Sequence, residues 1–382
     1  MEHLMNEKHH LVRKTLAEFA LKEVKPYAKL IDEQETFPKE TVKKMAAMNL
    51  FGLPFSTEYG GAGGDTISYA IAVMELSKVC ATTGVILSAH TSLCAAPIDM
   101  WGTHDQKTQY LPDLLSGKRL GAFGLTEPNA GTDAGAQKTV AKEYEDHYIL
   151  NGNKIFITNA GEADVYIISA MTDKEAKHRG MSLFIVDANT PGFSVGKKEM
   201  KLGIRASSTK ELILHNVKVP KENLLGKKNK GFSMALDTLS GGRIGIAAQA
   251  VGIAEGAIEQ ALKYTSQRKQ FGKPILSFQN TQFVLAELET KKEAAKQLLF
   301  KAAKYKDLGL SYAKEAAMAK LFAGETATEV TQKALQLFGG YGYTREYDIE
   351  RMMRDAKITE IYEGTNEAQK MVIANYMIKG VK

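Results

Sequence analysis

The chain has 382 residues, 44% hydrophobic and 25% charged, enough for two or three soluble globular domains with a large core. Its net charge of +6 is dispersed among acidic residues, so no basic tail suggests nucleic-acid binding, although the balance suits an anionic ligand. Cys80 and Cys94 are the only cysteines, which excludes a disulfide framework and a CxxC metal site.

The opening Met1-Glu2-His3-Leu4 runs into mixed charges without the apolar core of a signal peptide. No run of eighteen apolar residues occurs, so a membrane span is not expected and the expected location is cytoplasmic. From His9 to about Leu50 the pattern is helical, with Leu11, Leu16, Phe19, Ala20 and Val24 near helical spacing and Pro26 and Pro38 as punctuation. Pro54 to Asp65 holds four glycines within five residues and reads as a loop, either a plain connection or a close approach to a ligand. Helical sequence resumes at Ile67 and continues, with a break expected near Pro97, to about Leu115.

The character changes near Leu120. The apolar stretches flanking Asn151-Gly152, within His147–Thr158, predict a β-hairpin with a type I′ turn. Further strands are expected at Val165–Ser169, Ser182–Val186 and Glu211–Val219, giving an antiparallel β region of about a hundred residues. After Gly231 the chain turns helical again. One long helix is expected to begin near Arg243, with Ala247, Ala250, Val251, Ala254 and Ile258 on one face. Two more follow, from Gln282 to about Lys304 and from Lys314 to about Phe338. Helices, then strands, then helices imply an α+β, mostly α fold by segregation, divided at residues 1–119, 120–230 and 231–382.

Candidate chemistry begins with absences. There is no GxGxxG after a strand, no GxxxxGK[ST] and no HExxH, and the eight His residues are scattered, so no metal site is expected. Phe123-Gly124-Leu125-Thr126-Glu127-Pro128-Asn129-Ala130-Gly131-Thr132-Asp133 offers backbone N–H groups and hydroxyls to a polar ligand, or is an ordinary turn between domains. Phe156-Ile157-Thr158 places an aromatic ring and a hydroxyl two apart on one strand face, suited to stacking a flat ring and bonding its edge, or to core packing. Arg268-Lys269-Gln270-Phe271-Gly272 is a basic break between helices, either a solvated loop or a pyrophosphate contact. Gln336-Leu337-Phe338-Gly339-Gly340 is a glycine-rich helix exit, and one helix cap does not explain its glycines. In Ile361-Tyr362-Glu363-Gly364-Thr365-Asn366-Glu367 a lone carboxylate sits in a sequence too costly for a helix interior. That stretch reads as a tight connection, with Glu363 either solvated or aimed at something.

Together with Glu58-Tyr59-Gly60-Gly61 and Gly242-Arg243, these motifs run in one order across nearly the whole chain, and in that order they resemble the acyl-CoA dehydrogenases. The resemblance, to the short- and medium-chain, butyryl-CoA dehydrogenase-like branch, implies an N-terminal helical domain, a middle antiparallel, barrel-like β domain and a C-terminal four-helix bundle. It implies a homotetramer with one FAD per subunit. By carry-over, Phe123, Leu125, Thr126, Gly131, Thr132, Phe156, Ile157 and Thr158 would hold the flavin. Arg268, Phe271, Gln279, Gln336, Leu337, Phe338, Gly339 and Gly340 would reach FAD across a subunit interface, with Thr365 and Glu367 completing its site. Thr132, Ser240, Gly241, Gly242, Arg243, Tyr362 and Gly364 would touch the acyl-CoA.

The implied reaction is α,β-dehydrogenation of a short- to medium-chain acyl-CoA to the trans-2-enoyl-CoA, within fatty-acid β-oxidation. Glu363 would be the general base, hydride would pass to flavin N5, and electrons would go on to an electron-transfer flavoprotein. Some relatives carry the base at the residue before the Arg of Gly242-Arg243. Gly242 cannot serve, which favours Glu363. Oxidase-like and glutaryl-type decarboxylating activities on the same fold, and a non-catalytic helical scaffold, are the alternatives. Three departures stand out: Ser240 where relatives often have Asp, Asn129 for a usual Gly, and Phe156 where many have Trp.

Overall fold

The structure, a computed structural model, describes residues 5–380. The expectation drawn from Met1-Glu2-His3-Leu4 lies outside the described residues. The N-terminal helices are α1 (Glu7–Phe19), α2 (Lys25–Gln34), α3 (Lys39–Ala47), α4 (Thr66–Val79), α5 (Ala81–His90), α6 (Ala96–Trp101) and α7 (His104–Leu115). Their starts follow from capping chemistry. The Asn6 side chain accepts the His9 N–H at 3.0 Å, Asp65 accepts that of Ser68 at 2.8 Å, and Thr103 accepts that of Gln106 at 3.2 Å.

Pro97 does not break the chain as expected. It lies in the first turn of α6, directly after a π-helical turn at Thr91–Ala95. The wider turn already interrupts the regular ladder where proline brings no N–H to donate, so the helical path continues to Trp101. The stretch Ala81–Trp101 is long and apolar enough, by length and composition, to cross a membrane. An 18-residue window of it is 94% buried inside this fold, so it forms part of the protein's core.

The middle region is one eight-stranded sheet: β1 (Gly121–Gly124), β2 (Val140–Glu143), β3 (His147–Thr158), β4 (Val165–Met171), β5 (Met181–Asp187), β6 (Phe193–Lys198), β7 (Thr209–Pro220) and β8 (Leu224–Leu225). The path runs β6-β7-β3-β2-β4-β5-β8, with β1 beside β4. Pairing is mostly antiparallel, but β1 and β2 both run parallel to β4, which corrects the all-antiparallel expectation.

The expected hairpin at Asn151-Gly152 is absent, because β3 runs straight through it. The dipeptide instead marks a register shift against β7 between Leu150 and Gly152. Gly152 has φ +151°, and a Cβ there would lie 2.7 Å from the Cα of Thr139, the residue before β2, so glycine permits that close approach to β3.

The C-terminal region holds α8 (Gly231–Gln267), the small hairpin β9 (Lys269–Gln270) and β10 (Lys273–Pro274), then α9 (Gln279–Asp307), α10 (Ala313–Phe338), α11 (Ile349–Lys357) and α12 (Asn366–Lys379). The first helix begins at Gly231, twelve residues before the expected start near Arg243. Gly241 and Gly242 read as a helix boundary but lie inside it, because α8 packs on α4, α5 and α10 and its middle is wholly buried. Burial on all sides overrides the low helix propensity of glycine.

Candidate active site

A short 3₁₀ turn at Ile358–Glu360 delivers the chain to Glu363 and Gly364, with φ +54° and +87°. A left-handed glutamate costs on the order of 1–3 kcal/mol and persists only where its surroundings hold it. Three bonds do so. Gln369 Nε2 donates to the carbonyls of Glu363 at 3.1 Å and Gly364 at 2.8 Å, and Lys320 Nζ donates to the Gly364 carbonyl at 2.7 Å. Thr365 then caps α12, accepting the Ala368 N–H at 3.3 Å. Tyr362 is tied to α8 by its hydroxyl, which donates to Gln249 Oε1.

This turn aims Glu363 at Gly242. A Cβ at Gly242 would lie 2.8 Å from Glu363 Oε2 and 3.0 Å from Leu93 Cδ2. The carboxylate therefore fills the place a side chain on α8 would take, and Gly242 is required by that close approach. Oε2 is buried and has no hydrogen-bond partner. Burial pushes the Glu363 pKa up to about 7, against the opposing pull of Arg243 and Lys320. Arg243 is itself buried, and its Nε is also unpartnered. An unpartnered carboxylate that titrates near neutrality is poised to take up a proton.

Ser240 is engaged within α8, its hydroxyl donating to the Leu236 carbonyl at 2.9 Å and receiving Arg243 Nη1 at 3.5 Å. Gly241 faces Lys306 and the Tyr312 hydroxyl instead of Glu363. The structure thus brings Gly242, Arg243, Tyr362, Glu363 and Gly364 into one place.

The second cluster is built where β1 leaves the sheet. The Ile155 N–H donates to the Thr126 carbonyl at 2.9 Å, which zips the 125–133 loop to the end of β3. Beneath it the fully buried Lys154 ammonium donates to Glu127 Oε1 at 2.8 Å, the Leu125 carbonyl at 3.2 Å, Gln137 Oε1 at 3.1 Å and Ser169 Oγ at 3.0 Å. Glu127 also accepts the backbone N–H groups of Lys138 and Thr139, which fixes the far side of the loop. Phe156 has φ +57° at a second register shift, between Lys154 and Ile157, and its ring is 59% exposed. Thr126 and Thr158 are half-buried, Phe123, Leu125 and Ile157 are buried, and Gly131 and Thr132 are exposed. Asn129 is not among the positive-φ residues, so its replacement of a usual glycine asks nothing unusual of the backbone.

The third cluster is elsewhere. Arg268 ends α8 with its guanidinium 5.6 Å from the centroid of the Tyr341 ring. Phe271 is 93% exposed at the hairpin tip, Gln279 and Gln336 are exposed, and nothing lies within 4 Å of the Cβ positions at Gly339 and Gly340. Leu337 is half-buried, and Phe338 is buried against Tyr264 with ring centroids 4.1 Å apart. At 1.5 Å per residue, Arg268 lies ~37 Å along α8 from Arg243, too far to serve the same site within one chain. Glu367 is exposed in the first turn of α12.

Sequence reasoning missed Lys154, Lys320, Gln249 and Gln369. Lys154 was findable, since strand alternation from Tyr148 and Leu150 puts it on the inward face. Lys320 shares the helical spacing of Ala316, Ala323 and Ala327, but its partner, the Gly364 carbonyl, lies too far along the chain for any local pattern to show.

The sequence matches three family models: "Acyl-CoA dehydrogenase, N-terminal domain" over residues 6–118, the "middle domain" over 122–217 and the "C-terminal domain" over 229–378. The chain is similar to the "Acyl-CoA dehydrogenase, short-chain specific" of Clostridium acetobutylicum, 57% identical over 379 residues, covering 99% of this chain and 100% of that one. Its structure is similar to that of the butyryl-CoA dehydrogenase from Megasphaera elsdenii, with TM-score 0.97 and 48% identity over 98% of this chain and 99% of that one. It is also similar to a chain from a structure described as "Electron transferring flavoprotein of Acidaminococcus fermentans: Towards a mechanism of flavin-based electron bifurcation". There the TM-score is 0.97 and the identity 51%, over 99% of both chains.

Proposed function

The chain belongs to the acyl-CoA dehydrogenase family, in its short-chain branch, and on that premise we propose that Glu363 removes the α proton of a short-chain acyl-CoA thioester. The enzyme is an oxidoreductase with FAD as its cofactor. The residues present fit that group. Phe156 offers an exposed ring one residue after Ile155, which is bonded to the Thr126 carbonyl, Thr126 and Thr158 are half-buried, and a Cβ at the exposed Gly131 would meet nothing within 4 Å. Bound there, FAD supplies the acceptor for the β hydride, at N5, so that loss of the α proton and this hydride leaves a trans-2-enoyl-CoA.

Phe123, Leu125 and Ile157 would wall the flavin site, and Phe156, Thr126 and Thr158 would hold the cofactor there. Thr132, Gly242, Arg243, Tyr362 and Gly364 line the acyl-CoA path, with Ser240 and Gly241 at its margin. An α C–H beside a thioester is a very weak acid. A desolvated base with a raised pKa narrows the gap to it, and hydrogen bonds to the thioester carbonyl narrow it from the other side.

Arg268, Phe271, Gln279 and Gln336 to Gly340 are proposed to contact FAD bound to a neighbouring subunit, and Thr365 and Glu367 to complete the site. The distance along α8 supports this, and so does the exposure of Phe271. Light scattering should then find a homotetramer, and a fully FAD-loaded monomer would contradict it. An electron-transfer flavoprotein is the proposed electron acceptor, supported by the similarity to a chain from the electron-transferring flavoprotein structure of Acidaminococcus fermentans. The proposed location is cytoplasmic.

The observation that carries the reading is the buried, unpartnered Oε2 of Glu363 set into the gap at Gly242. The test is Glu363→Gln. It should retain FAD and bind butyryl-CoA, yet lose anaerobic flavin bleaching by that thioester. Near-parent bleaching would mean that the proton leaves by another route.

A further inference from the structure

Lys320 is fully buried in α10, among Ala316, Ala317, Ala319 and Ala323. A buried ammonium is normally paired with a carboxylate, as Lys154 is with Glu127. Lys320 is spent differently, since both of its acceptors are uncharged: the Gly364 carbonyl at 2.7 Å and Asn366 Oδ1 at 3.4 Å. A neutral donor would satisfy those two oxygens without the cost of burying a charge.

The groups that feel the charge lie on the turn, α12 and α8. They are Glu363 and Glu360 in the turn, Glu367 on α12 and Arg243 on α8. Facing Glu363 in turn are Arg243, Lys320 and the phenols of Tyr69 and Tyr362. Arg243 and Lys320 are thus the two cations acting on the carboxylate, and only Lys320 also bonds the backbone of its turn.

We propose that Lys320 is a positioning residue for the reaction, fixing the turn through the Gly364 carbonyl and supplying a positive charge that favours the carboxylate form of Glu363. The inference rests on Glu363 being the base. Burial draws the lysine's own pKa down to about 8, so it still carries its proton through neutrality.

The test uses the FAD-loaded enzyme and the rate of anaerobic flavin reduction by butyryl-CoA, measured from about pH 5.5 to 9. Lys320→Gln removes the charge and leaves a neutral, shorter N–H donor at the position. The rising limb of its profile should move up by about one pH unit, with the rate at pH 7 falling about fivefold, as expected for a carboxylate that loses one nearby cation. Asn366→Asp keeps Lys320 in place but sets a carboxylate against it. Its limb should also move up, which supplies the test if the lysine variant does not fold. Limbs unmoved in these variants would overturn the proposal and leave Lys320 a purely structural anchor. Glu363→Gln in the same assay separates the two ideas. A dead Glu363→Gln with unmoved limbs refutes only the role of Lys320, whereas an active Glu363→Gln refutes the base itself.

Discussion

Gly242→Ala is the sharpest single perturbation of this site. An added Cβ would stand 2.8 Å from Glu363 Oε2 and 3.2 Å from its Cδ, with Leu93 Cδ2 at 3.0 Å on the other side. Restoring ordinary contact, near 3.4 Å, moves the carboxylate by about 0.6 Å, and a misplacement of ~1 Å of a reacting group can cost about 100-fold in rate. The expected loss is therefore about tenfold in flavin reduction, or ~1.4 kcal/mol on the barrier. FAD content should be unchanged, and the intrinsic helix preference at this position improves by ~1 kcal/mol, so the variant should fold. Stopped-flow reduction by butyryl-CoA under anaerobic conditions reads the effect directly. A rate within about twofold of the parent would refute the idea that the gap at Gly242 sets the position of the base.

Two further outcomes follow from buried charges. Glu363 titrates at about 7 in the folded protein against an ordinary 4.5, so between those pH values the folded state holds a proton that the unfolded chain has released. Stability from this group is full below about 4.5 and is lost as pH rises to about 7. The Tm of Glu363→Gln minus that of the parent should thus grow from near zero at pH 4.5 to a positive plateau above 7, and a gap independent of pH would contradict the assignment. Lys154→Met strands Glu127 in the interior and should cost ~3–5 kcal/mol, read from urea unfolding of the FAD-free protein. Lys154→Met combined with Glu127→Gln should recover much of that loss. If the double variant is no more stable than the single one, the network is not the pair described.

The order of helices, strands and helices was legible in the sequence because each region keeps one hydrophobic period for long stretches. So was the rivalry between Gly242 and Glu363, although only the structure shows that the two positions compete for the same space. Local signals failed where tertiary contact outweighed them. Asn151-Gly152 has the chemistry of a turn, but Thr139, just before β2, packs so close to Gly152 that only glycine fits, at a register shift in a continuous strand. Gly241-Gly242 looks like a helix boundary, yet α8 runs through it because its middle is buried on all sides. The helical spacing of Ala316, Ala323 and Ala327 puts Lys320 on the buried face of α10, but its meaning depends on Gly364, forty-four residues away in sequence.

The length of α8 has a consequence for how the enzyme behaves on dilution. One unbroken 37-residue helix carries Arg243 beside the proposed base and is followed at once by Arg268, which under the proposed assembly serves the cofactor of another subunit. Cofactor retention and subunit association then become linked equilibria. Adding FAD should tighten the oligomer, and dissociating the oligomer should release FAD, each by the same factor. The fraction of active enzyme would fall with protein concentration even where every individual chain remains folded.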